Sequence, residues 1–260
     1  MPLKKKKNRL DNEIMKRQLV DTLKEARAYI MAGDILVDGQ VVYQPSRMVN
    51  TENNLELKEK SPYVSRGAYK LKKALLEFQI DVRGLKVVDI GISTGGFSDY
   101  LLQKGAERVV GVDVNIQQVD YSLRKNSRLQ LIKKNARYLT RDDIKFYPEL
   151  IVMDVSFISV KKILPALATF KKARIITLIK PQFEVSREKV EKGGVIRNIE
   201  SSLEVLLELK RDIQNLNFAV TGFTPAGLKG RKGNLEYFFL LKYGKKDSIN
   251  DRIIIHGIKV

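Results

Sequence analysis

The chain has no cysteine and a single histidine, His256, near its C-terminus. Without cysteine there is no disulfide, no thiol nucleophile, no thiolate metal site and no iron–sulfur cluster, and nothing points to an oxidising compartment. One histidine also argues against histidine-based metal sites and a serine–histidine triad, so no metal is expected. Long apolar runs are missing too. No stretch approaches the roughly 18 residues of a membrane span, and the densest patches, such as Phe238 to Leu241, are strand-sized. The segment from Met1 to Arg9 is a run of lysines rather than the apolar core of a secretion signal. A cytoplasmic protein with no stable membrane insertion is expected.

Positive charge is what the chain has in excess. It carries 48 lysines and arginines against 30 aspartates and glutamates, a formal net charge of +18. That is far beyond what solubility requires. Phosphate backbones are the commonest partner for such a surplus and acidic membrane surfaces the second; a generally basic proteome is the bland alternative. At 260 residues with 43% apolar content, the chain can bury a sizeable core in a small domain plus a medium one.

The pattern along the chain predicts a basic tail over 1–8, a small α+β domain over 9–58, a linker over 59–64, a large α/β domain over 65–243 and a C-terminal tail over 244–260. Leu19, Leu23, Ala26 and Ile30 follow helical spacing up to Gly33. Asp38-Gly39 between two short apolar runs is a hairpin signal, because that pair accepts positive φ angles. A short strand from Leu55 to Lys58 closes the small domain. Beyond the linker, Ala68, Leu71, Leu75 and Phe78 start a helix. Strands then follow at 86–90, 108–112, 129–133, 150–153, 174–179, 218–223 and 235–241. Helices are expected at 97–104, at 116–124, through Ile163 and Leu167, and along Leu203, Leu206, Ile213 and Leu216. Seven apolar strands alternating with helices imply a Rossmann-like domain with a mostly parallel sheet. The tail ends apolar, Ile253-Ile254-Ile255-His256-Gly257-Ile258, with no function to assign.

The strongest local motif is Val88-Asp89-Ile90-Gly91-Ile92-Ser93-Thr94-Gly95-Gly96-Phe97. It joins a strand to a helix, where open α/β sheets bind nucleotides, and its glycines let backbone approach a ligand. The spacing is neither that of dinucleotide enzymes nor that of P-loops. It resembles the first motif of S-adenosylmethionine-dependent methyltransferases: acid, one residue, Gly, three residues, Gly. Asp89, Gly91, Ser93, Thr94, Gly95, Gly96 and Phe97 are therefore the candidate cofactor residues. Asp113, ending the next strand, is placed to accept hydrogen bonds from both ribose hydroxyls of an adenosine moiety. Asn135, after the third strand, is either an adenine-edge contact or a helix cap.

Four more segments resemble the FtsJ-like ribose methyltransferases: Ser65-Arg66-Gly67-Ala68-Tyr69-Lys70-Leu71, Asp154-Val155-Ser156-Phe157-Ile158-Ser159, Lys180-Pro181-Gln182-Phe183-Glu184 and Gly233-Asn234-Leu235-Glu236-Tyr237. With Ser93–Asp99 they look more closely like the TlyA group, often labelled haemolysins. The N-terminal part, with Arg9-Leu10-Asp11, Glu25-Ala26-Arg27, Gly33 and Val37-Asp38-Gly39, resembles the small RNA-binding domain first described in ribosomal protein S-four. The resemblance spans nearly the whole chain. It implies a Lys–Asp–Lys–Glu tetrad around the target ribose, falling on Lys70, Asp154, Lys180 and Glu236.

The chemistry fits those residue types. A ribose 2′-oxygen attacking a methyl carbon needs its proton removed and needs aim. Lys180, at a buried strand end, is the expected base, since burial and neighbouring cations favour the neutral amine of a lysine. Lys70 supplies positive surroundings, and Asp154 and Glu236 orient the lysines and the ribose. Taken singly, each lysine also reads as a solvated surface charge, Asp154 as a turn cap and Glu236 as the partner of a surface arginine.

The resemblance further implies ribosomal RNA or ribosomal subunits as partner, with cytidine 2′-hydroxyls as target, and no DNA; a monomer is expected. Lys133-Lys134, Arg137, Arg141 and Lys229-Gly230-Arg231-Lys232 suit phosphates. Tyr63 and Phe157 read either as base-stacking rings or as core. The rival readings are a membrane-active haemolysin and an RNA-binding assembly factor without catalysis.

Overall fold

The computed structural model describes residues 7–57, 61–185, 194–196, 198–230, 233–244 and 249–258. Arg231 and Lys232 of the predicted basic stretch, Lys58 at the end of a predicted strand, and most of the basic tail lie outside them. The chain divides into two compact units, one up to Pro62 and one from Tyr63 onward.

The small unit comprises β1 (Lys7–Arg9), α1 (Leu10–Lys16), α2 (Leu23–Ala32), β2 (Ile35–Val37), β3 (Gln40–Val41), β4 (Met48–Asn50) and β5 (Leu55–Leu57). β1 pairs with β4, and β3-β2-β5 form a second sheet. Leu10, Ile14, Ala26, Ile30, Ile35 and Val37 make its core. The predicted helix through Leu19 starts later, at Leu23, because Thr22 and Glu25 form a reciprocal capping box there. Gly33 ends it in the left-handed conformation. The hairpin forms as its sequence requires, with Asp38 at φ 51° and Gly39 at φ 77°. Asp11 is buried, with Arg9 Nη2 at 2.8 Å and Arg27 Nε at 3.1 Å. The adjacent Arg9 guanidinium holds its carboxyl down to about 2, against the opposing effect of burial.

The large unit runs α3 (Gly67–Glu77), β6 (Lys86–Ile90), α4 (Gly96–Gln103), β7 (Arg108–Asp113), α5 (Tyr121–Arg124), β8 (Leu129–Lys133), β9 (Leu150–Met153), α6 (Leu164–Leu167), β10 (Arg174–Ile179), α7 (Pro181–Glu184), α8 (Ile199–Asn215), β11 (Phe218–Pro225), β12 (Tyr237–Tyr243) and α9 (Asp251–Gly257). Seven strands form one sheet in the order β11-β12-β10-β9-β6-β7-β8. The strands from β6 to β10 are parallel, and β12 is antiparallel to both β10 and β11. Apolar clusters cover both faces, one built around α8, α6 and α9, the other around α3 and α4. This is a Rossmann-like α/β domain preceded by a small α+β unit.

Two helices expected from periodicity are broken. The 116–124 segment splits into a 3-10 turn at Ile116–Gln118 and the short α5. Val119 is buried between them, and the Asp120 N–H donates to the Thr94 carbonyl rather than continuing a helix. The segment through Ile163 and Leu167 becomes 3-10 turns around α6, where Pro165 has no N–H to extend the preceding turn. The apolar end of the chain is not a loose tail: α9 packs with Ile254 and Ile258 in the core. The described end of the predicted linker, Tyr63 and Val64, packs on the α3–α4 face of the large unit. Among the described residues, no helix is long and apolar enough to cross a membrane.

Candidate active site

β6 and β9 are sheet neighbours but not chain neighbours: from β6 the sheet extends to β7 and β8 on one side and to β9 and β10 on the other. Crevices at such a reversal, outside the carboxyl ends of the strands, are where open α/β sheets bind ligands. Here the Asp154 N–H donates to the Ile90 carbonyl at 3.0 Å, so the 91–95 loop and Asp154 leave the sheet side by side.

The loop is held by its own backbone and by Asp113. Gly91 has φ 81°, and a Cβ there would collide with the Asp154 carbonyl oxygen. Ser93, at φ 51°, donates its N–H to Asp113 Oδ2 at 3.0 Å, while Oδ1 accepts from Asn115 N–H at 2.9 Å. A carboxylate has about four acceptor positions, so capacity for further donors remains. Gly95 has φ 101°, and a Cβ there would strike Leu123; one on Gly96 would strike the Ser65 hydroxyl. The glycines thus let the loop pack directly against Asp154, Leu123 and Ser65, where a side chain would collide, and the acceptor positions left on Asp113 suit the hydroxyls of a nucleoside cofactor.

Two candidate cofactor residues, Phe97 and Asp89, stand differently from the expectation, and the third, Asn135, takes the cap role that was one of its two readings. Phe97 is only 4% exposed and lies in the core, its ring 6.2 Å from that of Phe238, so its side chain packs rather than facing the crevice. Asp89 is buried beneath the loop, where its Oδ2 accepts from the Ser98 hydroxyl at 2.6 Å and ties β6 to α4. Burial pushes its carboxyl up to about 7, with the nearby Asp154 charge adding to the rise. Asn135 uses its Oδ1 as a cap, accepting the Arg137 N–H at 3.1 Å.

The four tetrad positions come together at the same edge from four elements. Asp154 follows β9, Lys180 follows β10, Lys70 projects from α3 and Glu236 precedes β12. Because β12 is antiparallel, its start lies level with the end of β10: Ile179 pairs with Tyr237, and Lys180 and Glu236 are one step beyond. They form two ion pairs, Lys70 Nζ to Glu236 Oε2 at 2.6 Å and Lys180 Nζ to Asp154 Oδ1 at 2.5 Å. The side chains of Lys70, Lys180 and Glu236 are 12%, 11% and 4% exposed. None is a solvated surface charge, and Glu236 pairs with a lysine rather than a surface arginine.

The FtsJ-like methyltransferase family model matches residues 63–243. This chain belongs to the FtsJ-like methyltransferases. Within them it belongs to the TlyA group. It is 38% identical to the 16S/23S rRNA (cytidine-2′-O)-methyltransferase TlyA of Mycobacterium tuberculosis, across 90% of this chain and 89% of that one. It is also 38% identical to Hemolysin A of Brachyspira hyodysenteriae, across 88% of this chain and 97% of that one. A solved hemolysin-labelled structure from Streptococcus thermophilus superposes with a TM-score of 0.74 at 33% identity, covering 97% of this chain and 96% of that one.

Around the tetrad of this FtsJ-like chain stand residues to which the sequence reading gave no role (Ser156, Glu184, Gly230 and Asn234), together with Phe157 and Tyr63, which it read as stacking rings or as core. Ser156 Oγ accepts from Lys180 Nζ at 2.9 Å. Phe157 is held at φ 66° and is 90% exposed, its ring 5.1 Å from that of Phe183. It is surface, not core, whereas Tyr63 packs against Tyr69 and Tyr100. Glu184, on α7, accepts from the Ser159 hydroxyl at 2.5 Å and the Val160 N–H at 3.0 Å. It thus ties the segment after Lys180 to the segment after Asp154, and burial raises its carboxyl above the usual range. Gly230 makes room for Glu236: a Cβ there would collide with Oε1. Asn234, quoted only as part of the segment that resembles the family, clamps 194–196 with its amide: its oxygen accepts the Ile196 N–H and its nitrogen donates to the Gly194 carbonyl, both at 2.9 Å. Among the described residues, no cluster of acidic or histidine side chains is placed to hold a metal ion.

Proposed function

We propose that this chain is an S-adenosylmethionine-dependent methyltransferase acting on ribose 2′-hydroxyls of ribosomal RNA, with cytidine as the target nucleoside. The observation that carries this reading is the pair of lysine–carboxylate contacts, Lys70–Glu236 and Lys180–Asp154, at the sheet edge where the Gly91–Gly95 loop begins. The name of the M. tuberculosis relative supports the substrate.

Gly91, Ser93, Thr94, Gly95 and Gly96 would hold the cofactor along the loop, and Asp113 would accept from its ribose hydroxyls. Asn135 would meet the adenine edge through its amide nitrogen, since its oxygen is engaged as a cap. Asp89 and Phe97 would shape the loop from beneath. When bound, S-adenosylmethionine supplies an electrophilic methyl group on a sulfonium. The chain's own work is on the hydroxyl. Lys180 would act as the base after its ammonium has released a proton to solvent, the free amine then taking the hydroxyl proton; Asp154 and Ser156, both in contact with its Nζ, aim it. Lys70, fixed by Glu236, orients the ribose and stabilises the oxygen as negative charge develops on it. Phe157, exposed beside Asp154 and Ser156, offers a ring for the target base.

The small unit and the basic surface would hold RNA phosphates, which position a strand without reading its sequence. This reading places the protein with ribosomal subunits in the cytoplasm, as a monomer that does not act on DNA. The test is transfer of labelled methyl groups to unmodified ribosomal subunits, wild type beside Lys180→Ala, with the nucleoside identified by mass spectrometry. A 2′-O-methylated nucleoside that vanishes in the variant is expected. Cofactor binding without transfer to ribosomal RNA would point to another RNA, and no cofactor binding would overturn the reading. Leakage of liposomes caused by the purified protein would favour the haemolysin reading instead.

A further inference from the structure

We propose that a cavity between the start of α3 and the 226–228 loop is a subsite for the nucleobase next to the methylated nucleotide in the RNA strand. The proposal rests on the RNA methyltransferase reading and adds where the strand runs. The cavity, about 400 Å³, is lined by Arg66, Tyr69, Lys73, Ala226, Gly227 and Leu228. That volume lies near the small end of ligand pockets.

Two observations join the cavity to the tetrad. Arg66, Tyr69, Lys70 and Lys73 recur at intervals of three and four along the start of α3, so they share one face of the helix. Lys70 on that face contacts Glu236, and the opposite wall is tied to the same residue, for the Ala226 N–H donates to the Glu236 carbonyl at 2.8 Å. The cavity and the Lys70–Glu236 pair therefore share both walls. A strand presenting one ribose to the tetrad must place a neighbouring nucleotide close by.

The chemistry of the lining selects the occupant. Tyr69, Ala226 and Leu228 give an apolar bed, and Tyr69 is 37% exposed. Arg66 and Lys73 put two cations at the same cavity, and Lys73 lies across Gly227, where a Cβ would stand 2.9 Å from Lys73 Cδ. A flat apolar surface combined with cations matches a base and its flanking phosphates. Base stacking on an aromatic ring tolerates any sequence, so the subsite would fix the strand rather than read it.

The experiment measures methyl transfer to unmodified ribosomal subunits by wild type, Tyr69→Ala, Tyr69→Phe and Lys73→Ala. Tyr69→Ala should raise KM for the subunits roughly 5- to 150-fold, the range expected for one lost stack. kcat and KM for S-adenosylmethionine should stay unchanged, Tyr69→Phe should behave as wild type, and Lys73→Ala should raise the same KM. An unchanged KM for the subunits, or a fall confined to kcat, would overturn the subsite. Ribosomal RNA carrying 4-thiouridine gives a second readout, independent of turnover and of whether Tyr69→Ala folds. Crosslinks to wild-type peptides holding Tyr69 or residues 226–228 are expected, and crosslinks confined to other surfaces overturn the proposal. If wild type transfers no methyl group, the enzyme reading fails while the crosslink map still decides the subsite.

Discussion

Lys70 and Glu236 stand 166 residues apart in the chain and 2.6 Å apart in space. Both side chains are largely buried, so the pair is costly to split. Removing one partner of a buried ion pair costs about 3–5 kcal/mol, whereas replacing both with apolar residues is often neutral. Glu236→Ala should lower stability by that order and abolish transfer. The double variant Lys70→Met/Glu236→Leu should regain most of the stability and none of the activity. Urea denaturation beside a methyl-transfer assay separates the two; recovery of activity in the double variant would remove the pair from the chemistry.

Gly39 and Gly91 share nearly the same backbone angle, φ 77° and 81°, but not the same surroundings. A Cβ on Gly39 meets nothing within 4 Å, while one on Gly91 collides with the Asp154 carbonyl oxygen. Gly39→Ala should therefore cost only backbone strain, about 1–2 kcal/mol. Gly91→Ala should cost more and weaken S-adenosylmethionine binding measured by calorimetry. Equal losses for the two variants, with cofactor affinity intact, would show that Gly91 serves only its turn.

These two glycines also mark what was legible from sequence. The hairpin at Asp38-Gly39 and the 91–95 loop were readable because local backbone demands write themselves into residue type. The tetrad was readable only through the ordered resemblance of four segments, since nothing local in Lys180 separates it from 47 other basic residues. How the four pair is a long-range fact: Lys180 meets Asp154 across the parallel neighbours β10 and β9, and the antiparallel return of β12 brings Glu236 to this end of the sheet, where it meets Lys70. Helical spacing over-extended the 116–124 segment because the Thr94 carbonyl that captures the Asp120 N–H is distant in sequence. Phe97 sat inside the motif read as cofactor-binding, yet its ring belongs to the core; motif membership does not say which way a side chain points.

Asp89 makes a pH prediction whose sign follows from its raised carboxyl. Below its ordinary value near 3.8, the group is protonated in both folded and unfolded chains. Between that value and about 7, the unfolded chain loses the proton while the folded one keeps it. Stability contributed by the protonated group is thus lost as pH rises through this window. Asp89→Asn, which cannot ionise, should flatten the slope, read as unfolding midpoints from pH 4 to 8. An unchanged slope would mean that Asp89 is ionised throughout.

Glu184 should act as a positioning residue for the two segments that carry Asp154 and Lys180. Glu184→Ala leaves the buried Val160 N–H without its acceptor, a loss of about 1–3 kcal/mol. Glu184→Gln keeps an oxygen for that N–H. Alanine should lower kcat for methyl transfer while KM for S-adenosylmethionine holds, and glutamine should restore most of kcat. If both variants lose stability and neither loses kcat in proportion to folded protein, the residue only holds the fold.

The chain's apolar end offers the opposite case, a segment whose effect should be structural alone. Ile254 is fully buried and Ile258 nearly so, in the cluster that also holds Leu206, Ile213 and Val220. Lys210 Nζ meets Asp251 at 2.7 Å, joining α9 to α8. Gly257 lies so close to Phe223 that a Cβ would stand 2.8 Å from the ring. α9 therefore covers β11, the edge strand of the sheet, whose apolar side would otherwise face water. Ile254→Ala should cost about 2–5 kcal/mol, as truncating a buried isoleucine does. Transfer per folded molecule should be unchanged, because no side chain of α9 belongs to the described tetrad or the 91–95 loop. Thermal unfolding together with kcat corrected for folded fraction decides it: a fall in corrected kcat would mean that α9 reaches the site through β11 and β12, the strand that Glu236 precedes.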